Sequence, residues 1–170
     1  MIRAMPDDER GRVHANVQRV LDAAAAAGLP IEVRRHADGA RTAEDAARAV
    51  GCEVGQIVKS LVFMADGSPV VALVSGADRL DPARLGAELG AADVRRATAD
   101  EAREATGFPI GGVPPIGHRR PLTVVIDEHL LQHQVVWAAA GLPDAVFSAD
   151  PRRLAAAAGA RPASVASSAS

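Results

Sequence analysis

The sequence predicts a single α/β domain organised on a mixed β-sheet. Three observations carry that prediction. Short apolar runs with strand character are intermixed with Ala-rich helical stretches along the 170 residues. Several of the runs are joined by tight turns rather than helical crossovers, which requires antiparallel neighbours. No repeat and no linker divides the chain, and its length suits one domain with a sizeable core.

The elements follow from the chain's punctuation. Residues 8–27, rich in alanine and closed by Gly28, predict an amphipathic helix with glycine at C′. A short strand is expected over 31–35. Thr42 and Asp45 resemble a capping box with Asp in place of Glu, opening a helix that ends at Gly51. Residues 57–64 and 70–74 are apolar runs separated by a turn at 66–69, and together predict an antiparallel hairpin. Asp81 is an N-cap followed by Pro82 at the first helical position, and that helix stops at Gly90. A brief strand over 94–97 leads to Thr98 and Glu101, a full capping box whose helix terminates at Gly107. Residues 107–117 hold four glycines and three prolines and predict a structured loop. Strands are expected over 122–126, 134–139 and 145–148, and Asp150 with Pro151 opens a last helix closed by Gly159. The small, polar residues 163–170 predict a disordered tail, leaving 1–162 as the folded domain.

Composition narrows the function classes. Aromatic residues are only 2%, so the core must be built mainly from Ala, Val, Leu and Ile. No apolar run is long enough to span a membrane, and the acidic start is unlike a signal peptide. Cys52 is the only cysteine, so no internal disulfide can form, and a cytoplasmic setting is expected. The net charge of −2 argues against a protein that coats nucleic acid non-specifically. It leaves room for a local basic patch from Arg34 and Arg35, Arg95 and Arg96, or Arg119 and Arg120, with solvated surface charge as the other reading of each pair.

Lysine and arginine total 19, yet Lys59 is the only lysine. Arginine is a planar fork and lysine a compact point charge, so Lys59 marks a site where the fork would not serve. With a side-chain period of two it shares a strand face with Ile57, Leu61 and Phe63, while Val58, Ser60, Val62 and Met64 occupy the other. Neither face reads as open solvent. The ammonium must snorkel outward or enter a polar pocket, because burying it unpaired is costly.

The glycine-rich loop is the second feature. Glycine permits close backbone approach and proline stiffens the intervening segments, so successive amides can converge on an oxyanion or phosphate; a purely structural loop is the competing reading. It lacks the ending of a P-loop and is not GxGxxG. His129 and His133 have i,i+4 spacing but no third ligand, so no metal site is expected. No serine lies in a GxSxG elbow and Cys52 has no catalytic setting. A hydrolase built on this chain would have to position water or use the substrate's own groups.

Lys59 and Ser60 within 57–61, the strand 70–74, Leu80 with Asp81, the helical turn 85–90, and Thr106-Gly107-x3-Gly111-Gly112-x2-Pro115-x-Gly117 share their order and spacing with a known group. From about residue 31 to 154 the chain resembles the YbaK/EbsC family, which includes the editing domain inserted in some prolyl-tRNA synthetases and its free-standing relatives. The resemblance implies an α/β fold with a mixed, barrel-like sheet flanked by helices. It implies hydrolysis of the ester joining a wrong, small amino acid to the 3′ end of tRNA, with no cofactor, no metal and no covalent nucleophile. Backbone oxyanion stabilisation and attack by a positioned water or by the substrate's own hydroxyl would replace that nucleophile. By the same resemblance Lys59 holds the terminal phosphate or orients the substrate, and Ser60 is a small hydroxyl beside it. Gly111 and Gly112 line the reaction centre, in a substrate loop with Gly107, Pro115 and Gly117. Asp144 matches an acidic residue near the pocket. His36 stands where some members carry tyrosine, and this chain has no tyrosine. The implied partners are the aminoacyl-tRNA 3′ end and a synthetase such as prolyl-tRNA synthetase. Two other readings remain open: a non-catalytic module that binds aminoacyl-tRNA or a small ligand, and a hydrolase of another small ester or nucleotide conjugate.

Overall fold

The computed structural model describes residues 13–36 and 42–168. Helix α1 (Ala15–Ala26) turns Val17, Val20 and Ala24 toward the core and is capped by the His14 imidazole, which accepts the Asn16 amide hydrogen. Of the helix expected over 8–27, the part before residue 13 lies outside the described residues. Strand β1 (Val33–Arg35) precedes α2 (Ala43–Val50), where Thr42 Oγ1 accepts the Asp45 amide hydrogen and Gly51 ends the helix at φ 78°.

β2 (Ile57–Ala65) and β3 (Ser68–Ser75) form the expected hairpin, in register from Val58↔Ser75 to Ala65↔Ser68. The turn is shorter than the sequence suggests. Asp66 and Gly67 both have positive φ, 48° and 80°, the two-residue arrangement whose twist matches the flanking strands, so Ser68 and Pro69 join the ladder. Next come β4 (Asp78–Leu80), α3 (Pro82–Leu89), β5 (Val94–Arg96) and α4 (Ala99–Thr106). After the glycine-rich loop lie β6 (Thr123–Asp127), a 3-10 segment (Glu128–Gln132), β7 (Val136–Ala139) and β8 (Ala145–Ala149). The chain ends with α5 (Pro151–Ala158), β9 (Arg161–Ala163) and β10 (Ala166–Ser168).

The main sheet runs β1-β8-β7-β2-β3-β6-β9, with β5 also on β2, and β10 pairs with β4 separately. Parallel pairs (β2/β7, β3/β6, β6/β9) and antiparallel pairs are mixed, as expected. β2 lies at the centre of this arrangement. β3 follows one of its edges from Val58 onward. The other edge is shared: β7 pairs only at Ile57 and Val58, and β5 only from Phe63 to Ala65. On that edge residues 59–61 therefore have no strand alongside among the described residues. Helices α1, α4 and α5 cover one face around Val62, Leu73, Phe108 and Phe147, while α3 packs with Val74, Leu85 and Val125 in a second cluster. A third, smaller cluster sets α2 against Ile57, Trp137 and Val146. Among the described residues no helix is long and apolar enough to cross a membrane.

The expected disordered tail is corrected by the structure. Residues 163–168 are bound in: the buried Asp127 carboxylate accepts amide hydrogens from Val165 and Ala166, and Val165 is fully buried. Composition signalled disorder because it cannot show a distant carboxylate that satisfies these backbone donors. Residues 169–170 lie outside the described part.

The capping box of α4 yields a pH prediction. Glu101 accepts the Thr98 amide hydrogen and takes two 2.8 Å hydrogen bonds from Arg95. The Arg95 hydrogen bonds, then the Thr98 amide, hold its pKa down from 4.5 to about 2. A carboxylate with a depressed folded pKa stabilises above its unfolded value and loses that contribution as pH falls through the folded one. The Glu101 contribution is therefore expected to disappear between about pH 4.5 and pH 2. Titration of the Glu101 side-chain carbon by NMR checks it, and a midpoint near 4.5 would show that the paired geometry does not persist in solution.

Candidate active site

The break along β2 opens onto a cavity of about 300 Å³. Its walls come from β2, from the start of α2 (Thr42, Ala43, Ala46), from β7 and Val146, from Arg96 and Ala97, and from Ile110, Gly111 and Val113 of the glycine-rich loop. The lining is mostly apolar and small.

Lys59 lies on this cavity. Its Nζ donates to the Asp78 carbonyl oxygen, so the lysine is half-buried rather than reaching freely into water. Burial pushes the ammonium below the ordinary lysine value. Asp78 and then Glu44 oppose that shift, while Arg96 and Arg79 add to it more weakly. The half-buried ammonium and Arg96 put two cations on the cavity wall that can meet a phosphate or a developing negative charge, with the Asp78 and Glu44 carboxylates nearby. Ser60, the next residue, turns to the opposite sheet face. Its Oγ is buried with no hydrogen-bond partner among the described residues.

The glycine-rich loop divides by role. Gly111 lines the cavity with φ 91°, a conformation that side-chain-bearing residues avoid. Gly112 does not line it. Its amide donates to the Pro109 carbonyl within the loop, and an added Cβ would meet the Leu142 backbone at 2.9 Å. In this conformation the Gly112 N–H is thus not a free donor for an oxyanion. Its smallness serves packing against residues 141–142. Gly107, Pro115 and Gly117 are likewise outside the cavity lining. Gly107 caps α4 and its carbonyl accepts from Arg19, Pro115 is buried within the loop, and Gly117 packs on α1. The Thr106 hydroxyl, bonded to Ala102 O and the Phe108 amide, and His118 Nε2, 2.7 Å from Pro114 O, hold the loop's shape.

His36 and Asp144 come together beside the cavity but do not line it. The His36 amide donates to Asp144 O, and the Asp144 carboxylate pairs with Arg35 at 2.8 Å. This joins β1 to the turn before β8, next to Pro143 of the cavity wall. The structure therefore gathers Lys59, Ser60 and Gly111 on one cavity and assigns the other candidates to its scaffold.

Sequence reasoning passed over three lining residues. Trp137 is the chain's only tryptophan, a signal available in the composition, and Arg34 stacks over its ring at 5.3 Å. Arg96 was visible only as half of a surface pair; here Arg95 turns to Glu101 and Arg96 to the cavity. Thr42 carries only the signature of a helix cap in the sequence, and it also lines the cavity. The histidines also differ from a helical i,i+4 pair, because residues 128–132 form a 3-10 segment with three residues per turn. His129 Nδ1 lies 2.7 Å from Asp78 and 3.5 Å from Asp127. These three groups bring ligand-type atoms within 4.8 Å of one another. Their hydrogen bonds to one another and to backbone amides already engage them, which describes a structural network behind Lys59.

With this geometry in hand, residues 37–157 match the aminoacyl-tRNA editing domain family. The chain belongs to that family. This editing domain is 45% identical to a protein crystallised as a proposed trans-editing enzyme for prolyl tRNA synthetase, with a TM-score of 0.86 over 91% of this chain and 99% of that one. It is 39% identical over 89 residues to the proline–tRNA ligase of Citrifermentans bemidjiense, and 32% identical over 97 residues to that of Limosilactobacillus fermentum. Those matches cover 52% and 54% of this chain but only 16% and 17% of the ligases, so the likeness is to one segment of each.

Proposed function

We propose that this editing domain is a trans-acting deacylase that hydrolyses the ester of a mischarged aminoacyl-tRNA carrying a small amino acid, such as a misacylated tRNAPro. One observation carries the reading: a half-buried lysine and an arginine, Arg96, on the wall of a largely apolar cavity, in a chain of the editing family. Lys59, with Arg96 at the rim, holds the phosphate of the terminal nucleotide and fixes the ester in the cavity. An activated ester needs little nucleophilic help, so a held water or the vicinal ribose hydroxyl supplies the attack, with proximity as the main advantage. Gly111 lets the loop backbone come close to the reacting centre. Discrimination rests on cavity size, and one methylene is worth about 1–3 kcal/mol.

The test is single-turnover deacylation of Ala-, Cys- and Ser-charged tRNAs, including mischarged tRNAPro. Release of at least one amino acid well above the uncatalysed rate is expected. Binding without release across the whole panel would replace the deacylase with a binding module.

A further inference from the structure

The break in the sheet beside β2 has a backbone consequence. In a regular strand the N–H and C=O of one residue point to the same side, and successive residues alternate. The Ile57 carbonyl accepts from Gly76 on the β3 side, whereas the Val62 carbonyl accepts from Ala97 on the β5 side. Val58, Ser60 and Val62 therefore direct their main-chain groups to the shared edge. Val58 meets β7 there, at Ala138, and Val62 meets the chain leaving β5. The β7 ladder ends at Val58↔Ala138 and the β5 ladder begins at Phe63↔Arg96, which leaves Ser60 with no strand to pair with among the described residues. Its Oγ is buried and unpartnered as well. Among the described residues, then, no strand meets the Ser60 N–H and C=O at this edge of a largely apolar cavity, and the Oγ beside them is closed in without a partner. Leaving such groups unmet is expensive, about 1–3 kcal/mol each when buried.

From this geometry we infer that Ser60 reads the aminoacyl ester through its main chain: its N–H donates to the ester carbonyl oxygen, and its C=O and Oγ accept from the α-ammonium. The inference rests on the deacylase reading and names the groups that recognise the substrate. Lys59 projects to the opposite sheet face, toward Arg96 and Arg79, so the break separates a phosphate side from an ester side. In the reaction, water adds to the ester carbon and the carbonyl π pair becomes an oxyanion lone pair facing the Ser60 N–H. Collapse restores the carbonyl and breaks the bond to the ribose oxygen, which leaves with a proton from the attacking water. The Ser60 donor takes the place that the Gly112 amide, spent on Pro109, does not fill.

Two experiments on the full chain test this. An amide-to-ester replacement of the Lys59–Ser60 peptide bond deletes the Ser60 N–H and weakens the Lys59 carbonyl as an acceptor toward Val74 of β3. The lost donor is outside the ladder and the weakened acceptor is a single bond within it, so the urea midpoint is expected to fall only slightly while single-turnover deacylation falls about 100-fold. In parallel, wild type is expected to cleave a mischarged tRNA about 10-fold or more faster than the same species N-acetylated, with Ser60→Ala narrowing that ratio. Wild-type turnover with an unaffected backbone-ester variant, or an unchanged ratio in Ser60→Ala, overturns the Ser60 assignment and leaves the deacylase standing. If wild type cleaves nothing on the panel, both readings fall together. Should the backbone ester fail to fold, the N-acetyl comparison in Ser60→Ala decides alone.

Discussion

Lys59→Ala is expected to reduce deacylation about 100-fold or more while the protein melts within a few degrees of wild type. The two halves of that expectation have one cause. Lys59 is held below its ordinary pKa chiefly by burial, so the fold bears a cost for keeping a cation there. Removing the cation relieves that cost and leaves one carbonyl, that of Asp78, without its donor. The site loses its only compact charge. Lys59→Arg is not expected to restore activity, since a planar fork would enter an environment that already holds Arg96 and Arg79. Single-turnover rates for wild type, Lys59→Ala and Lys59→Arg, with thermal melts of each, provide the measurement. Wild-type rates in Lys59→Ala would remove this lysine from the mechanism.

Asp127→Ala is expected to be the most damaging single change to stability, at about 3–5 kcal/mol by urea denaturation. Asp127 is fully buried at the end of β6. Its carboxylate accepts the Val165, Ala166 and His129 amide hydrogens at 2.9, 3.0 and 3.1 Å. Alanine would strand three buried or half-buried donors at once. Asp127→Asn is expected to fall between the two, because its NH2 would face the His129 amide hydrogen in place of an acceptor. The damage should also reach the site. β10 pairs with β4, whose Asp78 accepts from Lys59 and meets His129, so losing the anchor loosens the lysine's support. A loss under 1 kcal/mol would show that the tail is not held by this carboxylate.

Local signals were the most legible. Thr98 with Glu101, Asp81 with Pro82, and Asp150 with Pro151 each begin a helix where the side chain can accept a backbone hydrogen, and that chemistry is written within four residues. Lys59 was legible because of its rarity and its apolar strand. What stayed hidden depends on partners far apart in the chain. Gly112 looks like an oxyanion loop residue until residues 141–142 pack against it. The tail looks disordered until Asp127 reaches it, and Arg96 is indistinguishable from Arg95 until Glu101 selects one of them. The break beside Ser60 is hidden for the same reason, since strand ends on β5 and β7 are set by register rather than by residue type.

The family match begins at residue 37, after α1 and β1. Yet α1 braces the glycine-rich loop: Arg19 donates to the Gly107 carbonyl and lies over the Phe108 ring at 4.3 Å, and the Asn16 side-chain amide donates to Gly141 O. The match ends at residue 157, before β9 and β10. A fragment excised along those homology limits would keep Lys59 and both halves of the cavity wall but lose the struts that hold them. The smallest portable unit for grafting this site into another protein is therefore wider than its sequence signature, and must carry the first helix and the last strand with it.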